Sequence, residues 1–305
     1  MKKRRLLVTG AGGFVGRHVR QSSDEGGSFA GWDIFAPPRD WDIRNVPDVH
    51  RTITETRPDA VLHLAAQSFV PRSFEDPHET FAINLGGTLN LLLALRAANF
   101  AGRMLFVSSG DVYGRVPEDQ LPVDESRIPE PRSPYGVSKV AAEQLCLQWR
   151  RAEGLDVMIA RPFNHAGPGQ DSRFVLPALA RQVVAIAAGK QPPVIDAGDI
   201  DSTRDFTDVR DVVNAYAAML DRGEPGTTYV IGTGREYRVR DLLQAMCALR
   251  GLSVEIRQDP TRMRPSEQRR MAADAALLRK HTGWEPSITM ESTLNDILEE
   301  AGNRI

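Results

Sequence analysis

The chain has 305 residues, 41% hydrophobic and 26% charged, and its 38 Lys and Arg nearly cancel 40 Asp and Glu to leave a net charge of −2. A chain of this length buries a sufficient core without disulfides or metals, and it carries no global positive field for nucleic acid or an anionic membrane. Its two cysteines, Cys146 and Cys247, show neither disulfide-framework nor metal-ligand spacing. No metal site is therefore expected, and a reducing cytoplasm is. The basic start is followed by only Leu6-Leu7-Val8 before glycines begin, too short for an export segment. No window approaches the roughly 20 apolar residues of a membrane span.

In chain order, residues 5–9 read as a strand, and Gly10 to Gly16 as a glycine-rich turn opening a helix on which Phe14, Val15 and Val19 share a face. Residues 30–36 make a second candidate strand, weakened by Gly31 and Asp33. The runs 60–65 and 103–107 are short, continuous and apolar, as strands covered on both faces are. Between them residues 80–98 predict one long leucine-rich helix. Prolines 117, 122, 129, 131 and 134 punctuate a loop of about 20 residues, longer than a plain connector and so a candidate functional loop. A helix over 138–152 and a strand over 155–159 follow. This alternation predicts an α/β fold with a doubly wound parallel sheet. Beyond residue 164 the rhythm loosens. The expected division is a dinucleotide-binding domain over 1–163, with a segment near 205–232 returning to it, and a smaller substrate-binding lobe over 164–305.

The turn Gly10-x-x-Gly13-x-x-Gly16 stands between the first strand and the first helix. Glycines there permit a tight turn, approach of the backbone to a pyrophosphate and close packing of helix on strand. The helix N-terminus presents free N–H groups to the phosphates. Gly10, Gly13, Phe14, Val15 and Gly16 are the expected contacts. An acid for the adenosine ribose belongs about 20 residues on. Asp33 lies 17 residues past Gly16, in mid-strand, while Arg39 suits a 2′-phosphate. The cofactor is NAD or NADP.

Tyr135 and Lys139 are four apart, on one face of a helix start. A tyrosine with an ordinary pKa near 10 is a poor acid–base group at neutral pH, and an adjacent ammonium favours its phenolate. The segment Ser108-Ser109-Gly110-Asp111-Val112-Tyr113-Gly114 follows the strand before it and offers a hydroxyl to a substrate carbonyl. With Leu64-Ala65-Ala66, Asn84-x-x-Gly87-Thr88 and Arg161-Pro162-Phe163-Asn164, these motifs resemble the extended short-chain dehydrogenases/reductases, the NAD(P)-dependent nucleotide-sugar epimerases, dehydratases and reductases. The likeness runs nearly end to end and implies a Rossmann fold. It also implies Ser109 as the catalytic serine, Tyr135 as general acid–base and Lys139 as its partner. Asp42, Ile43, Leu64, Ala65, Ala66 and Phe163 would line the cofactor.

Finer features resemble the GDP-mannose branch. They are the run from Ala66 through Ser68 to Val70, Phe163-Asn164-His165, Arg204-Asp205-Phe206 and Arg264-Pro265-Ser266-Glu267. The resemblance implies that Arg204 and Arg264 clamp a sugar-nucleotide diphosphate, to which planar guanidinium groups are suited. Glu267 would contact the nucleoside, and Ser68, Ser109, Asp111 and Asn164 the sugar side. Within the branch the likeness is to bacterial GDP-4-dehydro-6-deoxy-D-mannose reductases, which form GDP-D-rhamnose with reduced cofactor. Gly110-Asp111 stands where 4,6-dehydratases carry Ser-Glu or Asp-Glu, and the cysteine of fucose-type epimerase–reductases has no counterpart there. A dehydratase, a C4 epimerase and a non-catalytic dinucleotide sensor are the alternatives. Members of the family commonly dimerise through the Tyr/Lys helix and its neighbour, for which residues 91–95 fit, although a buried helix has the same pattern. His63, Cys146 and Trp284 read as core residues, His165 as loop packing or substrate contact, and Arg269-Arg270 most simply as solvated charge, or as an addition to the field that attracts an anionic substrate.

Overall fold

The computed structural model describes residues 3–259 and 268–303. Arg4–Thr9 (β1) passes through the glycine turn into Phe14–Asp24 (α1), followed by Trp32–Phe35 (β2), Val46–Thr56 (α2) and Ala60–His63 (β3). Val70–Glu75 (α3) and Pro77–Phe81 (α4) lead through a single π-helical stretch, Ala82–Gly86, into Gly87–Ala97 (α5). Arg103–Val107 (β4), Pro134–Glu153 (α6) and Asp156–Pro162 (β5) complete the first half. Ser133 starts α6 by accepting the Gly136 N–H, with Pro134 at a position where its missing N–H costs nothing. The second half runs Asn164–Ala166 (β6), Val175–Ala187 (α7), Val194–Ala197 (β7), Thr203–Asp208 (β8), Val209–Arg222 (α8), Thr228–Ile231 (β9), Glu236–Arg238 (β10), Val239–Leu249 (α9), Glu255–Gln258 (β11), Ala276–Thr282 (α10) and Met290–Gly302 (α11).

Six strands form a parallel sheet in the order β2-β1-β3-β4-β5-β9. Alternate side chains reach opposite faces. Leu6, Val8, Leu62, Leu105, Met158 and Ala160 pack with Val19 of α1 and with Val212, Val213 and Tyr216 of α8. Leu7, Val61, Met104, Phe106, Val157 and Ile159 pack with α2, α5 and α6 through Val49, Ile53, Leu91, Leu95, Ala142 and Cys146. Cover on both faces explains why these strands read as unbroken apolar runs. The strand order reverses at β1, whose neighbours are β2 and β3, so the crevice beyond their carboxyl ends is the favoured ligand position. A second core joins α7, α9 and α11 to the small β6-β8-β10 and β7-β11 sheets. From the C-terminal part, Ala275, Leu278 and Trp284 pack into the first core instead.

Three sequence expectations change. The helix over 80–98 is one apolar run from Pro77 to Ala97, interrupted by the π stretch, and is long and apolar enough to cross a membrane by composition. Its Leu91, Leu92, Ala94 and Leu95 are nonetheless at most 1% exposed against the sheet, so they serve the core and not a dimer face. The proline-rich loop keeps its length and is tied to residues 268–274: the Val116 N–H donates to Gln268 Oε1 at 2.7 Å, and the Val123 and Asp274 N–H groups donate to the Ala272 and Val123 carbonyls at 2.8 and 2.7 Å. Arg270 is ion-paired with Glu236 at 2.7 Å and is not simply solvated.

Candidate active site

The glycine turn is built from the backbone outward. Gly10 sits at φ +74°, where a Cβ would lie 2.8 Å from the Ala65 nitrogen, so only glycine lets β1 end this close to the segment after β3. The Phe14, Val15 and Gly16 N–H groups precede the first intrahelical bond of α1, from Arg17 N–H to the Gly13 carbonyl at 3.1 Å. A Cβ built on Gly12 meets no atom within 4 Å, so the turn faces open space. Free N–H groups, a bare backbone and open space together fit the pyrophosphate of a dinucleotide. Leu64, Ala65 and Ala66 form the wall beyond β3, half-buried beside the turn. Ile43 is buried, and Asp42 is bound through both oxygens to Arg44, whose hydrogen bonds hold its carboxyl below the usual range.

Asn84, in the π stretch, fixes that wall. Its Oδ1 accepts the Gln67 N–H at 2.8 Å, while Nδ2 donates to the Gln67 carbonyl at 3.1 Å and to Ser138 Oγ at 2.9 Å on α6. Such π insertions recur at functional sites because they re-aim a side chain. His63 is a satisfied core residue, as read from the sequence. Its ring joins Thr9 Oγ1 at 2.7 Å and Thr88 Oγ1 at 3.0 Å, and Thr88 in turn donates to the Asn84 carbonyl.

Burial, with the Lys139 charge adding, pushes His63 down from 6.5 to about 3. The unfolded imidazole takes up a proton below pH 6.5 that the folded one refuses until about 3, so stability falls with pH across this window. The slope from this group is about 1.4 kcal/mol per pH unit. Urea unfolding between pH 7 and pH 5 is expected to show a shallower loss of stability in His63→Gln than in the parent. Equal slopes would assign the proton uptake to other groups.

Tyr135 and Lys139 lie on the first turns of α6, 6% and 4% exposed. Lys139 Nζ donates to the Val107 carbonyl at 2.8 Å, at the end of β4. Burial lowers its ammonium to about 8, with Glu143 opposing the fall. Burial and then the Asp111 carboxylate raise the Tyr135 phenol, and a hydrogen bond with Ser109 works the other way. Ser109 also accepts the Asp111 N–H at 3.1 Å, capping the short 3-10 turn Gly110–Tyr113. Asp111 is exposed to solvent beside this turn, yet the protein packed around it raises its carboxyl, and the Arg204 charge offsets part of that rise. The structure thus brings Ser109, Asp111, Tyr135, Lys139 and Arg204 together.

Phe163 is buried against the serine turn, its ring 6.1 Å from that of Tyr113, and a Cβ on Gly110 would lie 2.9 Å from it. Asn164 follows at the start of β6 and is exposed, as is Ser68 on the loop after β3. His165 bonds the Phe163 carbonyl at 3.0 Å and stacks on Phe14 of the glycine-turn helix, joining the lobes. Arg264 and Glu267 lie outside the described residues. Asp33 sits in mid-β2 opposite Arg5, so β2 ends at Phe35 with no acid there.

Several residues of the site were missed in the sequence. Arg17 links the Gly12 carbonyl at 3.1 Å to the Gly169 carbonyl of the second lobe at 2.7 Å. Asp205, fully buried, accepts hydrogen bonds from Thr233, Gly234 and Ala273 and so fixes the strand that carries Arg204. Glu143 and Arg161 form a buried ion pair behind Lys139. Arg161 and Asp205 stand within motifs named above though with no role given to them, and the four-residue step from Lys139 to Glu143 was a further signal. A cavity of about 850 Å³ on the second lobe, lined by Arg181, Gln182, Asp196 and Arg257 among others, includes none of the Ser109, Tyr135 and Lys139 set.

Residues 39–297 match the family model for GDP-mannose 4,6 dehydratase. The GDP-6-deoxy-D-mannose reductase of Pseudomonas aeruginosa is 46% identical over 301 residues, 99% of this chain and 98% of the relative. The solved structure of RMD from Pseudomonas aeruginosa complexed with NADPH aligns with a TM-score of 0.95 and 45% identity, covering 99% of this chain and 100% of that one. The UDP-glucose 4-epimerase of Thermus thermophilus in complex with NAD aligns with a TM-score of 0.86 and 30% identity, over 99% and 100% of the two chains. Likeness of this extent, through both lobes, makes the chain a member of the extended short-chain dehydrogenase/reductase family of nucleotide-sugar epimerases and dehydratases.

Proposed function

We propose that the protein is an NADPH-dependent reductase of the C4 ketone of GDP-4-dehydro-6-deoxy-D-mannose, forming GDP-D-rhamnose. The observation that carries this reading is the serine turn. Gly110 is packed beneath Phe163 with no room for a side chain, so the position at which dehydratases carry Ser or Asp supplies no side-chain proton. The 46% identical relative is named for a reductase of this type. In the cleft Tyr135, kept a phenol by burial and by Asp111, donates a proton to the ketone oxygen. Ser109 hydrogen-bonds the developing alkoxide, Lys139 orients the Tyr and the cofactor ribose, and Arg204 meets the substrate diphosphate. NADPH, when bound, supplies the hydride to C4. The absence of a carboxylate at the end of β2, with Arg39 exposed on the loop after it, supports NADPH over NADH.

The same reading makes the large sheet and its helices the cofactor domain and the lobe of α7, α9 and α11 the substrate domain. It places the enzyme in the cytoplasm, where buried free Cys146 and Cys247 stay reduced, and as a homodimer through the outer faces of α5 and α6, where Leu89 and Val137 are 38% and 42% exposed. The test is loss of reduced-nicotinamide absorbance with GDP-4-dehydro-6-deoxy-D-mannose. One NADPH per sugar is expected to be consumed, with kcat/KM at least about tenfold above that for NADH, the worth of one charge-assisted phosphate contact. Conversion of GDP-mannose to the 4-keto sugar without added reductant, and no oxidation of NADPH, would instead make the enzyme a dehydratase with Asp111 as its base.

A further inference from the structure

We propose that the buried Arg161–Glu143 pair positions the catalytic groups, with Glu143 as the counter-charge that holds Lys139 as an ammonium and Arg161 tying the serine turn to the same helix. Only the turnover arm of its test rests on the reductase reading. Glu143 lies four residues beyond Lys139 on α6, hence on the same face, and is fully buried. Arg161 of β5 grips both of its oxygens, Nε to Oε1 at 3.0 Å and Nη2 to Oε2 at 2.7 Å. Its remaining arm, Nη1, donates to Tyr113 Oη at 3.0 Å. Tyr113 is itself fully buried and closes the 3-10 turn that Ser109 opens. One ion pair therefore joins the helix of Tyr135 and Lys139, the turn of Ser109 and the strand that leads to Phe163.

The charges around Lys139 single out Glu143. From α6 it meets Tyr135, Glu143 and Cys146; from β3, His63; from β4, the Phe106 ring at 5.1 Å and the Val107 carbonyl at 2.8 Å. Burial keeps Tyr135 a phenol, Cys146 a thiol and His63 a neutral imidazole. Among these groups Glu143 is the only carboxyl group, and the Arg161 guanidinium grips both of its oxygens. A buried ammonium without a counter-charge sheds its proton.

Lysine titration reads this directly. The chain has five lysines, and Lys139 is buried while Lys3, Lys190 and Lys280 are exposed. In full-length protein labelled with [¹³C]lysine, the buried lysine is expected to titrate near 8 in the parent and about one pH unit or more lower in Glu143→Gln. Glu143→Asp, which keeps the charge, is expected to restore the midpoint. An unchanged midpoint in Glu143→Gln overturns the counter-charge role, whatever the enzyme's reaction. In turnover, the alkaline limb of the kcat profile moves acid-ward by the same shift, with activity recovered at lower pH. Tyr113→Phe, which leaves the ion pair intact, is expected to lower kcat about tenfold at unchanged NADPH KM and Tm. An unchanged kcat there overturns the link to the serine turn, and this variant decides that link if Glu143→Gln does not fold. A parent that binds NADPH but oxidises none with the GDP-ketosugar refutes the reductase reading alone, because the lysine midpoints still decide the role of Glu143.

Discussion

Replacing Tyr135 by Phe is expected to lower kcat about a thousandfold while leaving NADPH affinity within a few-fold of the parent's, which is the signature of a group needed in the transition state and not for binding. The ring is 6% exposed and packed, so Phe fills the same space and the fold is retained. What is lost is the hydroxyl that hydrogen-bonds Ser109 and, raised by burial and by Asp111, remains protonated until a ketone oxygen accepts the proton. Ser109 survives in this variant but has no acidity near neutral pH of its own, and Lys139 is engaged with the Val107 carbonyl at 2.8 Å. Steady-state kinetics with a parallel fluorescence titration of NADPH separates the two quantities. Near-parental turnover would remove Tyr135 from the role of proton donor and transfer attention to Asp111.

Gly16→Ala is expected to weaken NADPH binding by about two orders of magnitude and to lower Tm by several degrees. A Cβ at Gly16 would lie 2.5 Å from both the Ala11 Cα and the Gly10 carbonyl oxygen. All the nearest atoms belong to the backbone, so the only relief is to push α1 away from the turn and its N–H groups away from the phosphates. Gly12→Ala is the control for stability, because a Cβ there meets nothing within 4 Å, and its Tm is expected to stay at the parental value. Isothermal titration with NADPH and thermal unfolding of both variants check the contrast. If Gly16→Ala binds NADPH like the parent, the turn does not position the cofactor.

The elements whose signals are local were legible before any fold was known. The apolar run 103–107 became β4 with the same bounds, and the glycine turn, the four-residue step from Tyr135 to Lys139 and the serine segment stand where their motifs put them. The helix over 80–98 was legible as a helix but not as an interrupted one. Its π stretch exists to aim Asn84 at both the Gln67 backbone and Ser138, partners 17 and 54 residues away. Residues 91–95 illustrate a second limit, because an apolar stripe has the same pattern whether it meets a sheet or another subunit. Here it meets the sheet.

Taken alone, the order of residues determined the parallel α/β fold, the glycine-rich turn and the spacing of the Ser–Tyr–Lys set, because turns, helix faces and strand ends depend on neighbours within a few positions. Only the tertiary structure decided that Asp33 stands in register opposite Arg5 of β1 and that Gly110 is closed off by Phe163. It also decided that Arg161 and Glu143, 18 residues apart, share a buried ion pair that joins β5 to α6. Strand register, burial and the pairing of charges arise from which segments are packed side by side, and that is a property of the folded chain and not of any short stretch of it.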